Sequence, residues 1–331
     1  MTDRCVTAIV VVHGSPEATV RRCVESLLAS ESVRVSVILI DNASPDGGAA
    51  CAPWNSHERV TLIRSEENRG FAAGVNQGLA RRPSDDLVFL LNDDATLAPD
   101  CIVRCAAALD GDQTIISVAP RVMLADEPDR IDSIGVVLRP NGEAFNAFIG
   151  QRWTGQVANG SEVLGPCFAA ALFRPDAFDA HVVGTLDERY RLYYEDIDWS
   201  LRARRAGFRC IAATDAIVHH QHAASTRTLG EPARYELVQR NLLLCATKNL
   251  GLRSVVHVWS QRFVVHGKGV IKGPYRTQRL RALSRAVVGA PSALAARRHL
   301  PGRRAHTDEE LFEWSVGQSP NFDAETLRTI E

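Results

Sequence analysis

Residues 191–207 read RLYYEDIDWSLRARRAG. Three carboxylates, Glu195, Asp196 and Asp198, fall within four positions, directly after Tyr193 and Tyr194 and before a run of arginines. Acids at the start of a helix can be surface decoration, or one of them can be a base poised to take a proton. Further acids lie upstream. The apolar run 35–40 ends in Asp41-Asn42, and the run 87–91 ends in Asn92-Asp93-Asp94. A single acid there could cap a helix, and Ser44-Pro45-Asp46 could be no more than a turn. Two acidic strand ends on one rim are harder to dismiss, because ligands of open α/β sheets bind beyond the carboxyl ends of the strands. Three histidines, His219, His220 and His222, follow the run AIV. A strand would point 219 and 220 to opposite faces, and packing or surface roles suit at least two of the three.

Between the two acidic strand ends lies ENRGFAAGVNQGL, residues 67–79. Its glycines, Gly70, Gly74 and Gly78, recur every four positions and do not form the G-x-G-x-x-G dinucleotide fingerprint. On a helix they make a smooth stripe that admits close backbone approach. Helix–sheet packing explains Gly74 and Gly78 equally well, whereas Gly70, at the loop-to-helix junction, is the better candidate for approaching a ligand.

The elements that must position these residues alternate. Strands are expected at 7–12, 35–41, 60–64, 86–94 and 114–120, and helices after Ser15-Pro16, at 71–80 and at 101–109. Ser15 reads as a helix cap with Pro16 at the first helical position. This alternation predicts an α/β fold, a largely parallel sheet with helices on both faces. After residue 120 the pattern changes. Asn141-Gly142 signals a type I′ hairpin, 167–173 is a short apolar run, and 208–220 reads as a strand plus a second extended piece. Helix takes over from about 231, with interruptions expected at Gly273-Pro274 and Pro291.

Taken in series, IDNAS, ENRGFAAGVNQGL, LLNDDA, LYYEDIDWSLRARRAGF and AIVHHQHAAST resemble the family 2 glycosyltransferases, nearest their bacterial rhamnosyltransferase-like members. The resemblance covers about residues 5–250. It implies a GT-A fold, a mixed, mostly parallel sheet flanked by helices, and inverting transfer of a sugar from a nucleotide diphosphate donor. Asp41 then accepts a hydrogen bond from the imide N–H of uracil or thymine, with Asn42 and Gly70 beside the donor. Asn92-Asp93-Asp94 matches the family's metal motif, and Asp94 would bind Mg²⁺ or Mn²⁺ with Asn92 and Asp93 at the donor. Asp93 stands where many relatives have proline, so both acids remain ligand candidates. His220 matches a histidine that can complete the metal site. Asp196 matches the base that deprotonates the acceptor hydroxyl, and its helix N-terminus should keep it ionised. Glu195, Tyr194 and Trp199 could face the acceptor, while Asp198 could cap the helix or bind an arginine. The resemblance points to dTDP-rhamnose or a UDP-sugar as donor, and to a saccharide on a polyprenyl diphosphate as acceptor in cell-envelope polysaccharide synthesis. The processive-synthase signature Gln-x-x-Arg-Trp is absent; Gln239-Arg240-Asn241 does not reproduce it. Two rival readings are a metal-dependent nucleotidyltransferase acting on a sugar phosphate and a catalytically silent GT-A binding module. A glycoside hydrolase would need two opposed carboxylates and no nucleotide.

The 331 residues have a net charge of −1, which advertises no nucleic-acid partner for the chain as a whole. The charge is unevenly spread: net −9 over 1–226, +14 over 227–306 and −6 over 307–331. The expected organisation is a catalytic domain over 1–228, a basic helical region over 229–306 and an acidic tail over 307–331, in which LFEWSV could dock as a short helix. The basic region could meet an anionic membrane surface, at the inner face of the plasma membrane of a cytoplasmic enzyme. The eight cysteines form no C-x-x-C pair, which fits reduced thiols rather than zinc. Neither a signal peptide nor a membrane span is expected.

Overall fold

The computed structural model describes residues 4–221, 230–300 and 305–315; His222 and most of the acidic tail lie outside them. In chain order the elements are β1 (Arg4–Val12), α1 (Glu17–Leu28), β2 (Val33–Asp41), β3 (Val60–Arg64), α2 (Phe71–Leu79), β4 (Leu87–Leu91), β5 (Ala95–Leu97), α3 (Cys101–Ala107) and β6 (Ile115–Leu124). There follow β7 (Ile131–Ser133), β8 (Val136–Leu138), β9 (Ala144–Asn146), β10 (Glu162–Val163), β11 (Ala170–Phe173), α4 (Glu195–Arg205) and β12 (Arg209–His220). Helices α5 (Glu231–Asn249), α6 (Leu252–Lys272), α7 (Arg276–Ala296) and α8 (Asp308–Glu313) complete the described chain.

The main sheet runs β10-β12-β6-β11-β4-β1-β2-β3. Strands β4, β1, β2 and β3 are parallel, as the alternation predicts. β11 is antiparallel to both β4 and β6, and this makes the sheet mixed. β1 is buried on both faces. Val6, Ala8, Val10 and Val12 join the cluster that includes α1 and α3, while Ile9 and Val11 face the one that includes α2. A Cβ on Gly74 or Gly78 would come within 2.7 Å of the Val11 or Ile9 side chain. Those two glycines therefore serve to seat α2 on β1, and bring the loop before it to the strand ends.

Three local expectations are corrected. Ser15 makes no cap to α1; its hydroxyl serves Asp93 instead. The 136–146 hairpin forms, but only Gly142 has positive φ, so the turn is not type I′. Pro140 fixes its own φ near −65°, and Gly142 N–H closes the turn onto the Arg139 carbonyl at 2.9 Å. Pro291 lies inside α7 rather than ending it.

A third cluster joins α4, α5 and α7, with Ile197, Leu201, Leu242, Cys245, Ala286 and Leu311 among its buried members. Leu311 carries α8 onto this cluster, and Trp314 stacks 4.6 Å from the Arg204 guanidinium, so the tail's apolar segment does dock. At its centre the fully buried Asp198 accepts from Arg202 (3.0 Å), Lys248 (2.8 Å), Tyr190 (3.1 Å) and Asn249 (2.8 Å). Burial opposes its charge, but Lys248 and Arg202 hold its pKa below the usual carboxylate range. Removing one partner of such a buried pair costs about 3–5 kcal/mol. This ion cluster bolts α5 to α4 and fixes where the start of α4 points. No described helix is long and apolar enough to cross a membrane.

Candidate active site

The α4 start is reached through an unusual turn. Arg191, Tyr193 and Tyr194 all have positive φ (63°, 68° and 74°). That region costs a non-glycine residue about 1–2 kcal/mol, so the surroundings must impose it. Asn241, fully buried on α5, donates its side-chain amide to the carbonyls of Tyr190 (3.0 Å), Leu192 (2.9 Å) and Tyr193 (2.8 Å). Arg240 donates to the Arg189 carbonyl at 2.9 Å. On the other side the Arg191 carbonyl accepts from Ala72 N–H at 3.2 Å, and its guanidinium reaches the Asn68 carbonyl at 2.8 Å. A Cβ on Gly70 would fall 2.7 Å from the Arg191 Cα. The close approach at Gly70 is thus to this turn, and Gly70 contributes to the site mainly by admitting it.

The turn delivers Glu195 and Asp196 to a cleft of about 550 Å³. Asn42, Gly70, Asn92, Asp93, Tyr194 and His220 line the same cleft. Among the cleft residues not singled out from sequence are His13, Asn68, Arg191 and Arg234. α5 also adds Leu237 and Val238 to the wall, so the basic region begins within the site.

Asp41 and Asp94 stand one residue behind the lining. The Asp41 carboxylate is buried at the end of β2, where Oδ1 accepts from Ser44 N–H at 2.9 Å. Its Oδ2 lies against Gly48 (φ 80°), in space that a side chain there would fill. Asn42, itself buried, takes the lining place, donating to Asn68 Oδ1 (3.1 Å) and the Gly70 carbonyl (3.2 Å). Asp94 is 3.0 Å from His220 Nε2, and His220 Nδ1 is 2.6 Å from Asp132. Asn92 Nδ2 is 3.2 Å from the same Nε2. Asp132, fully buried on β7, is a participant that sequence reading missed; an acid inside the apolar run IDSIGVV was its only signal.

Trp199 is not at the cleft. It is fully buried, 5.0 Å from Phe173 and 5.6 Å from Phe178 between ring centroids, and its indole donates to the Gly184 carbonyl. Its place is the core under α4, and the expected acceptor contact is withdrawn. Tyr194 does line the cleft, but its hydroxyl is engaged, donating to the Gly142 carbonyl (3.0 Å) and accepting from Ala144 N–H (3.2 Å). It braces the 136–146 hairpin against α4. His219 is half-exposed on the opposite face of β12 from His220, as strand geometry requires.

The electrostatics are those of a charged site out of water. Burial lifts Glu195 to about 8, helped by the Asp196 charge, and lifts Asp196 to about 6 despite the Ile197 N–H bond. The helix N-terminus therefore does not keep Asp196 in the ordinary carboxylate range; desolvation wins. Asp196 is still mainly ionised at pH 7. Burial and the adjacent Asp94 charge raise Asp93 to about 7. Burial works against a charged His220 ring, yet Asp132 and Asp94 together raise it to about 10.

These groups fit a divalent cation. Asp93 Oδ2 is buried without a hydrogen-bond partner, beside a second carboxylate that raises its pKa. Asp132 holds the His220 ring by Nδ1, which aims Nε2 at Asp94, the arrangement by which outer carboxylates orient metal-binding histidines. Among the described residues no three His, Cys, Asp or Glu side chains form a closed ligand set. One or two carboxylates completed by substrate phosphates are what Mg²⁺-type sites usually use.

Comparison with known proteins identifies the family and the fold. The glycosyl transferase family 2 model matches residues 7–181. The N-acetylglucosaminyl-diphospho-decaprenol L-rhamnosyltransferase of Mycobacterium tuberculosis is 28% identical over 262 residues, 68% of this chain and 78% of that one. A mannosyltransferase from Pyrobaculum calidifontis, solved with GDP-Man and Mn²⁺, superposes with a TM-score of 0.52 at 15% identity, covering 86% of each chain. GalNAc-T7, solved with UDP, GalNAc and Mn²⁺, gives 0.58 at 12% identity over 91% of this chain and 59% of that one. At such identities these structures speak for the fold, which is GT-A. The matched region carries both acidic strand ends and the glycine helix between them, and the chain belongs to glycosyl transferase family 2.

Proposed function

We propose that this glycosyltransferase moves one sugar, with inversion, from a pyrimidine nucleotide diphosphate donor to a saccharide hydroxyl on a polyprenyl diphosphate. dTDP-rhamnose is the preferred donor in this reading and a UDP-sugar the second choice. The relative from M. tuberculosis, whose name specifies a rhamnosyl transfer to a diphospho-decaprenol saccharide, supports both assignments. The enzyme then works on the cytoplasmic side of the plasma membrane in cell-envelope polysaccharide synthesis.

The observation that carries the reading is the shared cleft: Asn42, Asp93 and His220 on one wall and Asp196 on another. Asp196, raised to about 6, is a base matched to neutral pH, because it is ionised yet basic enough to accept the acceptor's proton. Glu195, its neighbour, is held mainly protonated near pH 7 and can donate a hydrogen bond to the acceptor. Asp41 and Asn42 bind the pyrimidine and ribose end of the donor. Arg191 and Arg234 bring positive charge to the same walls, suited to a diphosphate. Asp93, Asp94 and His220 would hold Mg²⁺ or Mn²⁺, which supplies charge neutralisation for the departing nucleoside diphosphate.

A thermal-shift screen of nucleotide sugars tests the proposal. dTDP- or UDP-sugars should raise the melting temperature, and more so with Mn²⁺. Stabilisation by purine nucleotide sugars alone would refute the donor assignment.

A further inference from the structure

Every strongly exposed large hydrophobic side chain among the described residues lies on α6 or α7. On α6 they are Leu252, Val256, Phe263, Val264, Val265 and Ile271; on α7, Leu280, Val287, Val288 and Leu294. Their spacing is not random. At 3.6 residues per turn, Leu252, Val256 and Phe263 fall on one side of α6. Leu280, Val287 and Leu294 recur every seven residues along α7, each a little over half exposed (55, 53 and 52%). The two helices bury other sides, roughly 100–120° round the axis from these stripes, through Val258, Arg262 and His266 on α6 and Ala282, Ala286 and Ala293 on α7. The outward stripes are therefore left over after the core is complete.

The charges on these helices are equally one-sided. Residues 252–300 contain ten arginines and lysines and no aspartate or glutamate. Arg253, Lys268, Lys272, Arg276, Arg281, Arg285 and Arg298 are exposed. Apolar side chains interleaved with basic ones, on a helical hairpin too polar to span a bilayer, are what an interfacial helix needs. A second copy of the chain would bring another wholly basic surface against this one, and like charges would oppose the contact. An anionic lipid surface meets both features at once.

We propose that the α6–α7 hairpin docks the enzyme on anionic membrane, its apolar stripes entering the headgroup region and its basic residues lying on the lipid phosphates. α5, which packs on both helices and supplies Arg234, Leu237 and Val238 to the cleft, ties the catalytic site to this face. The docking stands on the surface alone. It agrees with a lipid-linked acceptor but does not depend on one.

The test is co-sedimentation of the full chain with phosphatidylcholine vesicles, with and without phosphatidylglycerol, over a salt series and without donor or acceptor. Binding should require the anionic lipid and weaken as salt rises. The triple variant K268Q/K272Q/R281Q should bind on the order of 100-fold more weakly at low salt, at roughly fivefold per basic residue. L280Q/V287Q/L294Q should lose the binding that survives high salt. Both should keep the wild-type melting temperature within a few degrees, since all six side chains are exposed. Equal binding to neutral and anionic vesicles, or no loss in either variant, would overturn the proposal. So would light scattering showing a dimer that L280Q/V287Q/L294Q dissolves while vesicle binding is unchanged. Failure of sugar transfer with a water-soluble acceptor would count against the proposed reaction and not against docking.

Discussion

Asn241→Leu should damage catalysis from a residue that does not itself line the cleft. The wild-type amide bonds three carbonyls of the turn before α4, at 2.8–3.0 Å. Leucine is close in volume but offers no donor. Each lost bond is worth about 1 kcal/mol net. A total near 3 kcal/mol follows, within the ~5–15 kcal/mol that a folded domain commands. The variant should therefore fold, with a melting temperature several degrees lower. The same turn holds three left-handed non-glycine residues, each costing about 1–2 kcal/mol. Clamp and strain are thus comparable, and without the clamp the turn should relax toward ordinary φ. Asp196 moves with it, and a displacement of about 1 Å at a reacting group can cost 100-fold in rate. The assay is steady-state transfer at saturating donor. The expected result is kcat down by about 100-fold with a much smaller rise in donor KM, because Asn42 and Asp93 sit on other elements and only Arg191 of the donor side belongs to the turn. A variant that melts early but keeps wild-type kcat would refute a positioning role for Asn241.

Three other outcomes follow from the site. Glu195→Gln should stabilise the protein at alkaline pH. The Glu195 pKa rises from the usual 4.5 to about 8 on folding, so the folded state holds its proton longer and stability falls as pH climbs between those values. Melting curves of the wild type and the variant should converge near pH 4 and separate by several degrees near pH 9. In the free enzyme, kcat/KM should drop tenfold per pH unit below about 6 as Asp196 protonates. Asp132→Asn should raise the Mn²⁺ concentration for half-maximal activity by about 10–100-fold, as loss of a histidine's outer carboxylate does, while leaving nucleotide binding without metal intact.

The parallel half of the fold was legible because its strands are apolar runs buried on both faces and its helices carry a clear stripe. β2 and β4 also end in acids, which marked the rim of the site before any coordinates. Aromatic identity misled at Trp199: a helix places residues on every side, and proximity in sequence to Asp196 says nothing about which side faces the cleft. Asp132 and Asn241 were not legible. Each is a polar residue that belongs to no recognisable motif, and each acts on a segment far away in sequence. The raised pKa of Asp196 was also hidden, since the helix terminus is a local feature whereas burial is a property of the assembled walls. At Asp41 and Asp94 sequence found the right strand ends but could not show that Asn42 and Asp93 take the lining positions.

The most direct measurement is sugar transfer by Asp196→Asn, made alongside donor binding by the same protein. The account predicts transfer lowered at least 100-fold with donor affinity and its response to Mn²⁺ close to wild type, and a melting temperature at neutral pH that is no lower than wild type. Transfer within a few-fold of wild type would contradict the assignment of the proton acceptor, and with it the role given to the turn that presents it.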